Sequence, residues 1–215
     1  MSHSSIAEVL SQMTSAFSRL HVESVESAVE ILYKTQYAGG TIYVFGNGGS
    51  ASTASHLAVD MSRRLMTDTG RRIRVIALND NVPWCTAVAN DNSYDEVFAE
   101  QLRIFLQPND LVVGISASGN SPNMIKAFDV AKSMGVPRLA LVGFDGGHMS
   151  RMATGRIWVD SDDYGVIETA HVGVTHLLVD GLVQRCLAME NVSPIFSKSR
   201  SQVSGHGAVT RAVAT

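Results

Sequence analysis

Five short apolar runs, each closing on a polar or glycine-rich loop, constrain this chain more than any other feature. They are TIYVF (41–45), IRVIAL (73–78), DLVVGIS (110–116), RLALVGF (138–144) and RIWVD (156–160). Apolar residues fill successive positions rather than alternate ones, the pattern of strands buried on both faces. Helical segments are expected between and after them at about 50–65, 94–106, 121–134 and 166–190. This alternation implies an α/β fold: a doubly wound, five-stranded, mostly parallel sheet flanked by helices. Such sheets bind ligands outside the carboxyl ends of their strands, the edge where all the polar loops fall. Ahead of the first strand, 5–36 reads as helix, with Ile6, Val9, Leu10, Met13, Phe17 and Leu20 at steps of three and four. This gives an N-terminal helical arm or hairpin.

At 215 residues the expectation is one domain over 1–190 and a tail over 191–215. The tail is rich in Ser and Gly and lacks periodicity. An apolar share of 45% can fill a sizeable core. A net charge of −3 leaves no basic footprint for nucleic acid. The two cysteines, Cys85 and Cys186, have neither disulfide-framework nor zinc-site spacing, and a reducing, cytoplasmic compartment is the default. The N-terminus does not read as a signal peptide. No apolar run reads as approaching the roughly 20 residues that span a bilayer.

Two of the edge loops suit a phosphate. The first, Gly46-Asn47-Gly48-Gly49-Ser50, precedes a helix whose N-terminal amides attract an anion. The second, GISASGNSPN (114–123), offers the hydroxyls of Ser116, Ser118 and Ser121, with Ser121 placed as N-cap and Pro122 as the first helical residue. Each alone is also what an ordinary βα turn contains. Two at one sheet edge favour a ligand. Neither is a P-loop or a dinucleotide fingerprint.

These loops, with FGNGGSASTASHLAVD, VANDNSYDEVF and DYGVIETAHVGVTHLLVDGL, resemble the sugar isomerase (SIS) domain. Within it they are most similar to the phosphoheptose isomerases, which convert sedoheptulose 7-phosphate to a heptose 7-phosphate. The resemblance covers about residues 1–190. It implies an aldose–ketose isomerase, D-glycero-D-manno-heptose 7-phosphate as product, and a homotetramer with sites near subunit contacts. It places phosphate on Ser116, Ala117, Ser118 and Ser121, and sugar on Asn47, Gly48, Gly49, Ser50, Asn90 and Asp91. It implies a Zn²⁺ or other divalent site from His56, Asp60, Glu168 and His176. Asp60 stands where the family has Glu, and Glu168 where it has Gln. SIS domains also serve as phosphosugar sensors, and one branch is a tetrameric adaptor for a replication initiator, so a non-catalytic binding role is the alternative.

The residues themselves carry part of this chemistry. His56 and Asp60, at i and i+4, share a helix face and suit one divalent ion. Glu168 and His176 are eight residues apart, a rise of roughly 12 Å on a straight helix, so they do not reach one ion from adjacent turns. Convergence then needs Glu168 at the helix start or ligands from two subunits. His171 is read as a helix-face residue near a subunit contact. Isomerisation moves a proton between C1 and C2, which suits Asp60 as base and His176 as the acid opposite it, with Glu168 as an alternative base. The basic stretches at 62–65 and 70–74 read as a charged rim.

Overall fold

A computed structural model describes residues 5–192, with side chains through Met189. Residues 193–215, most of the expected tail, lie outside the described residues. The sheet has the order β2-β1-β3-β4-β5, built from β1 (Thr41–Gly46), β2 (Arg74–Ala77), β3 (Leu111–Ser116), β4 (Arg138–Val142) and β5 (Gly155–Trp158). All four pairings are parallel. The central strands β1 and β3 are buried at every position, which is why they read as unbroken apolar runs. The edge strand β2 is exposed at Arg74 and Ile76 and stops at Ala77, short of the run expected over 73–78.

Side chains of alternate strand residues supply two cores. On one face, Ile42, Val44, Leu111, Val113, Ile115, Leu139 and Leu141 pack against α2 (Val22–Tyr37), α3 (Gly49–Thr69) and α8 (Tyr164–Val192). On the other, Tyr43, Phe45, Val112, Ala140 and Val142 meet α5 (Ala99–Phe105), α6 (Pro122–Ser133) and α7 (Gly147–Met152). The N-terminal segment is two helices, α1 (Ile6–Ser18) and α2. A reciprocal capping box starts α1: Glu8 N–H donates to Ser5 Oγ, and Ser5 N–H donates to the Glu8 carboxylate. Arg185 of α8 lies over the Tyr33 ring and donates to Glu30, tying α2 to α8.

Several elements depart from the sequence expectation. The helix over 94–106 is a 3-10 turn, Tyr94–Glu96, followed by α5. Two helices were not anticipated, α4 (Val82–Asp91) and α7. α4 buries no residue fully, and only Cys85, Val88 and Ala89 pack partly against the core, a short stripe on ten residues. Part of the charged rim is tied to neighbouring groups. Arg74 donates to Thr41 and to the Gly39 carbonyl at the amino end of the sheet, and Arg64 pairs with Asp180 and Asp68. Finally, Tyr164–Met189 is long and apolar enough, by length and composition, to span a bilayer, contrary to expectation. More than half of its most apolar window is buried inside the protein. It reads as apolar because it packs against α1, α2 and α3 at once.

Candidate active site

The strand order creates a switch point between β1 and β3. The chain leaves β1 for α3 on one face and β3 for α6 on the other, so the two ligand loops diverge around a crevice. The residues picked out at 46–50 and 116–121 border it.

Gly48 caps α3 at φ +53° and ψ −121°, a backbone region that costs any other residue strain. Gly49 answers to space instead. A Cβ there would fall 2.6 Å from Glu168 Oε2. The anion beside the first turn of α3 is therefore the protein's own Glu168 carboxylate, a placement the helix dipole favours. Ser50 is turned inward, 5% exposed.

The second loop keeps its donors. Ser121 caps α6 without a side-chain cap bond, and Pro122 follows it. Ser116 Oγ accepts from Gly119 N–H and Ser118 Oγ from Asn120 N–H, leaving both hydroxyl protons for a ligand. Ala117 is buried. Of the two loops, 116–121 is the better phosphate cradle, because among the described residues no carboxylate is seated on it in the way Glu168 sits on α3.

Asn47 links the loops. Its amide pairs with the amide of buried Asn123 through two bonds of 3.0 and 2.8 Å, and the Tyr94 hydroxyl adds a third contact at 3.0 Å. Sequence reasoning missed both partners. Asn123 closes the serine motif and Tyr94 follows Asn90-Asp91 in the quoted stretch, but nothing in the sequence shows that they meet. Asn90 and Asp91 lie exposed at the end of α4 and bond to each other. They are not joined to the 46–50 or 116–121 loops by any contact among the described residues.

Helices α3 and α8 run parallel: Gly49 meets Glu168, Asp60 meets His176, and Arg64 meets Asp180. The ladder brings three donors together. Asp60 Oδ2 lies 3.1 Å from His56 Nε2 and 3.5 Å from His176 Nδ1, and the imidazoles are 5.0 Å apart by centroid. Their donor atoms all fall within 4.8 Å of one another. Two imidazoles and one carboxylate suit a divalent ion with an open position. Glu168 is outside this group, two turns up the ladder, as the eight-residue spacing required. It shares with Gly49, Ser52, Thr53, His56 and Val172 a cleft of about 290 Å³ that runs down toward the cluster. Asp60 and His176 are neighbours, not opposed groups.

His171 is corrected outright. It is 1% exposed, with neither ring nitrogen in a well-formed hydrogen bond among the described residues. Burial pushes its pKa down to about 4, opposed only by the Val142 carbonyl. A larger cavity, about 770 Å³, lies between α1 and the loops after β4 and β5. Its Asp145, Asp160, Asp162 and Asp163 repel an anion, and its Arg19 is committed to Asp160.

Comparison with known proteins agrees with this architecture. Residues 5–143 match the SIS domain family. The chain is 38% identical to the phosphoheptose isomerase of Helicobacter pylori over 169 residues, covering 79% of this chain and 87% of that protein. The chain belongs to the SIS-domain family, in its phosphoheptose isomerase branch. A probable phosphoheptose isomerase of Thermoplasma volcanium is 37% identical, over 74% of this chain and 79% of its own. The solved phosphoheptose isomerase of Neisseria gonorrhoeae superposes with a TM-score of 0.74 at 30% identity, covering 83% and 94% of the two chains. The matches span the loops and α3, so the family resemblance and the switch-point geometry concern the same residues.

Proposed function

We propose that this SIS-domain protein is a phosphosugar aldose–ketose isomerase acting on sedoheptulose 7-phosphate or a close relative. The observation that carries the reading is the convergence of His56, Asp60 and His176 along the ladder that starts at the switch-point loops. Three converging donors beside ligand-binding loops favour catalysis over a purely bridging role.

In this reading the hydroxyls of Ser116, Ser118 and Ser121 and the amides of their loop hold the phosphate, and Asn47 with Gly48 and Gly49 receives the sugar chain. Asp60, an acceptor between two imidazoles, takes the proton that moves between C1 and C2. His176 returns or delivers a proton at the substrate oxygens. Glu168, in the same cleft as His56, is the second carboxylate in reach of substrate. His56, Asp60 and His176 would hold a divalent ion, zinc by their donor chemistry, which when bound supplies Lewis-acid polarisation of the carbonyl.

Asp60 stands eleven residues beyond Gly49 on α3, a rise of roughly 16 Å, so the phosphate loops and the cluster of one chain are well separated. A homotetramer, with each site completed at a subunit contact, accounts for this. The exposed apolar residues support it: Val59 and Leu177, 61% and 46% exposed, flank Asp60 and His176, and Ile6 and Leu10 line the outside of α1. We place the protein in the cytoplasm, where its substrate class is made and no disulfide is needed.

The test is an NMR time course with sedoheptulose 7-phosphate, comparing chelator-treated protein with the same protein reloaded with Zn²⁺. An aldoheptose phosphate formed only after reloading supports both the isomerase and the ion. Turnover without metal keeps the isomerase and removes the ion. No turnover from folded protein in either sample rejects sedoheptulose 7-phosphate as substrate.

A further inference from the structure

The Asn47–Asn123–Tyr94 network has a fixed direction. The backbone N–H of Met124, shared with the Ser121 carbonyl at 3.1 Å, also faces Asn123 Oδ1 at 3.0 Å, which favours oxygen at that end of the Asn123 amide. Reversing that amide would set two donors face to face. Asn123 Nδ2 must then donate to Asn47 Oδ1, at 2.8 Å, and Asn47 Nδ2 to Asn123 Oδ1, at 3.0 Å. Asn47 Oδ1 also faces the Tyr94 hydroxyl at 3.0 Å. Only the phenol can be the donor there, because Asn47 presents oxygen.

Asn47 has thereby spent both lone pairs of its oxygen and one of its two N–H bonds. What remains for a ligand is a single N–H. Tyr94 has spent its proton, so what remains on its oxygen is acceptor capacity, on a residue 56% exposed. The platform is firm: Glu96, two residues on, is bridged to Lys126 of α6 at 2.6 Å and to Arg103 of α5 at 2.9 Å. Those two cations hold its carboxyl below the usual carboxylate range. Asn123 is 1% exposed at the start of α6, the helix that the phosphate loop opens.

We propose that Tyr94 and Asn123 set the hydrogen-bond polarity of the sugar site: Asn47 meets the sugar chain only as a donor, and the Tyr94 oxygen reads a sugar hydroxyl only as an acceptor. Tyr94 is thus a specificity-determining substrate contact and Asn123 a positioning residue. The proposal rests on the phosphosugar reading above and adds a reason for the loop to recognise a polyol chain beyond the phosphate. A hydroxyl at the matching carbon donates to the Tyr94 oxygen, and a deoxy position forgoes that bond.

The experiment compares full-length wild type with Tyr94→Phe, titrating each with sedoheptulose 7-phosphate and separately with inorganic phosphate by calorimetry, and recording thermal midpoints. The ring is kept, so packing is preserved. The expected result is a loss of about tenfold in affinity for the sugar phosphate, with phosphate affinity unchanged and the midpoint lowered by no more than the one lost Tyr94–Asn47 bond accounts for. Equal sugar-phosphate affinity in the two proteins overturns the role of Tyr94 and leaves the isomerase reading intact. Parallel losses for sugar phosphate and inorganic phosphate also overturn it, because they assign Tyr94 to the scaffold. A wild type that binds phosphate but not the sugar phosphate overturns the substrate reading and this proposal together.

Discussion

Asp60 Oδ2 and His176 Nδ1 lie 3.5 Å apart, brought together by the parallel packing of α3 and α8, with His56 Nε2 3.1 Å from the same oxygen. In the proposed reaction Asp60 is the base. Asp60→Asn keeps the shape and removes the base, so kcat is expected to fall about 10²–10⁴-fold. The check is the NMR rate with sedoheptulose 7-phosphate. A rate within threefold of wild type would take Asp60 out of proton transfer.

Metal occupancy tests the same three residues without relying on turnover. Zinc-loaded wild type should retain the ion through gel filtration, and His176→Ala should lose most of it, since two donors hold a divalent ion far less well than three. Elemental analysis of the two proteins reads the difference. Equal retention would place the ion elsewhere.

Ser118 tests the phosphate cradle. Its Oγ accepts from Asn120 N–H, leaving the hydroxyl proton for an anion. Ser118→Ala should raise KM about tenfold with kcat within about twofold, the mark of binding lost equally from ground and transition states. An unchanged KM would move phosphate off this loop.

Gly49 and Glu168 are coupled by space. Because a Cβ at Gly49 would sit 2.6 Å from Glu168 Oε2, the free end of a flexible side chain, Gly49→Ala should turn that carboxylate aside at a cost of no more than about 1 kcal/mol. Adding Glu168→Ala should return part of that loss, a coupling that urea unfolding of the four proteins of the cycle measures. Additive losses would show that the two residues do not compete for the same place.

His171 gives a pH signature. Its folded pKa of about 4 lies below the roughly 6.5 of an unfolded histidine. The unfolded chain therefore binds the proton first. The folded state keeps its full advantage above pH about 6.5 and loses it as pH falls toward about 4, on the order of 3 kcal/mol in all. Denaturant midpoints across that window should fall less steeply in His171→Leu than in wild type. Parallel slopes would mean that His171 is solvated in the folded protein.

The α/β class was legible because β1, β3 and β4 are buried almost throughout and so are apolar almost throughout. The elements that were not legible lack that link. α4 buries no residue fully. α7 is six residues long, too short for a stripe. The break falls between Tyr94–Glu96, where Glu96 pairs with Lys126 of α6 and Arg103, and α5, and such a distant pairing is not written in local spacing. The site divided in the same way. Loops at 46–50 and 116–121 announce themselves by composition, and His56 with Asp60 by helical spacing. His171 did not, because a buried histidine and an exposed one look alike in a sequence.

The sequence by itself determined the alternation of strands and helices, the polar edge where ligands bind, and one half of the donor cluster, because each is written in residues a few positions apart. Tertiary structure alone decided the rest. It chose the strand order that opens a crevice between β1 and β3. It set the parallel register that puts His176 beside Asp60 and Glu168 beside Gly49, and it made the three-residue network that orients Asn47. Those relations join residues far apart in the chain. They are fixed by how two helices and a sheet fill one core, which local patterning does not encode.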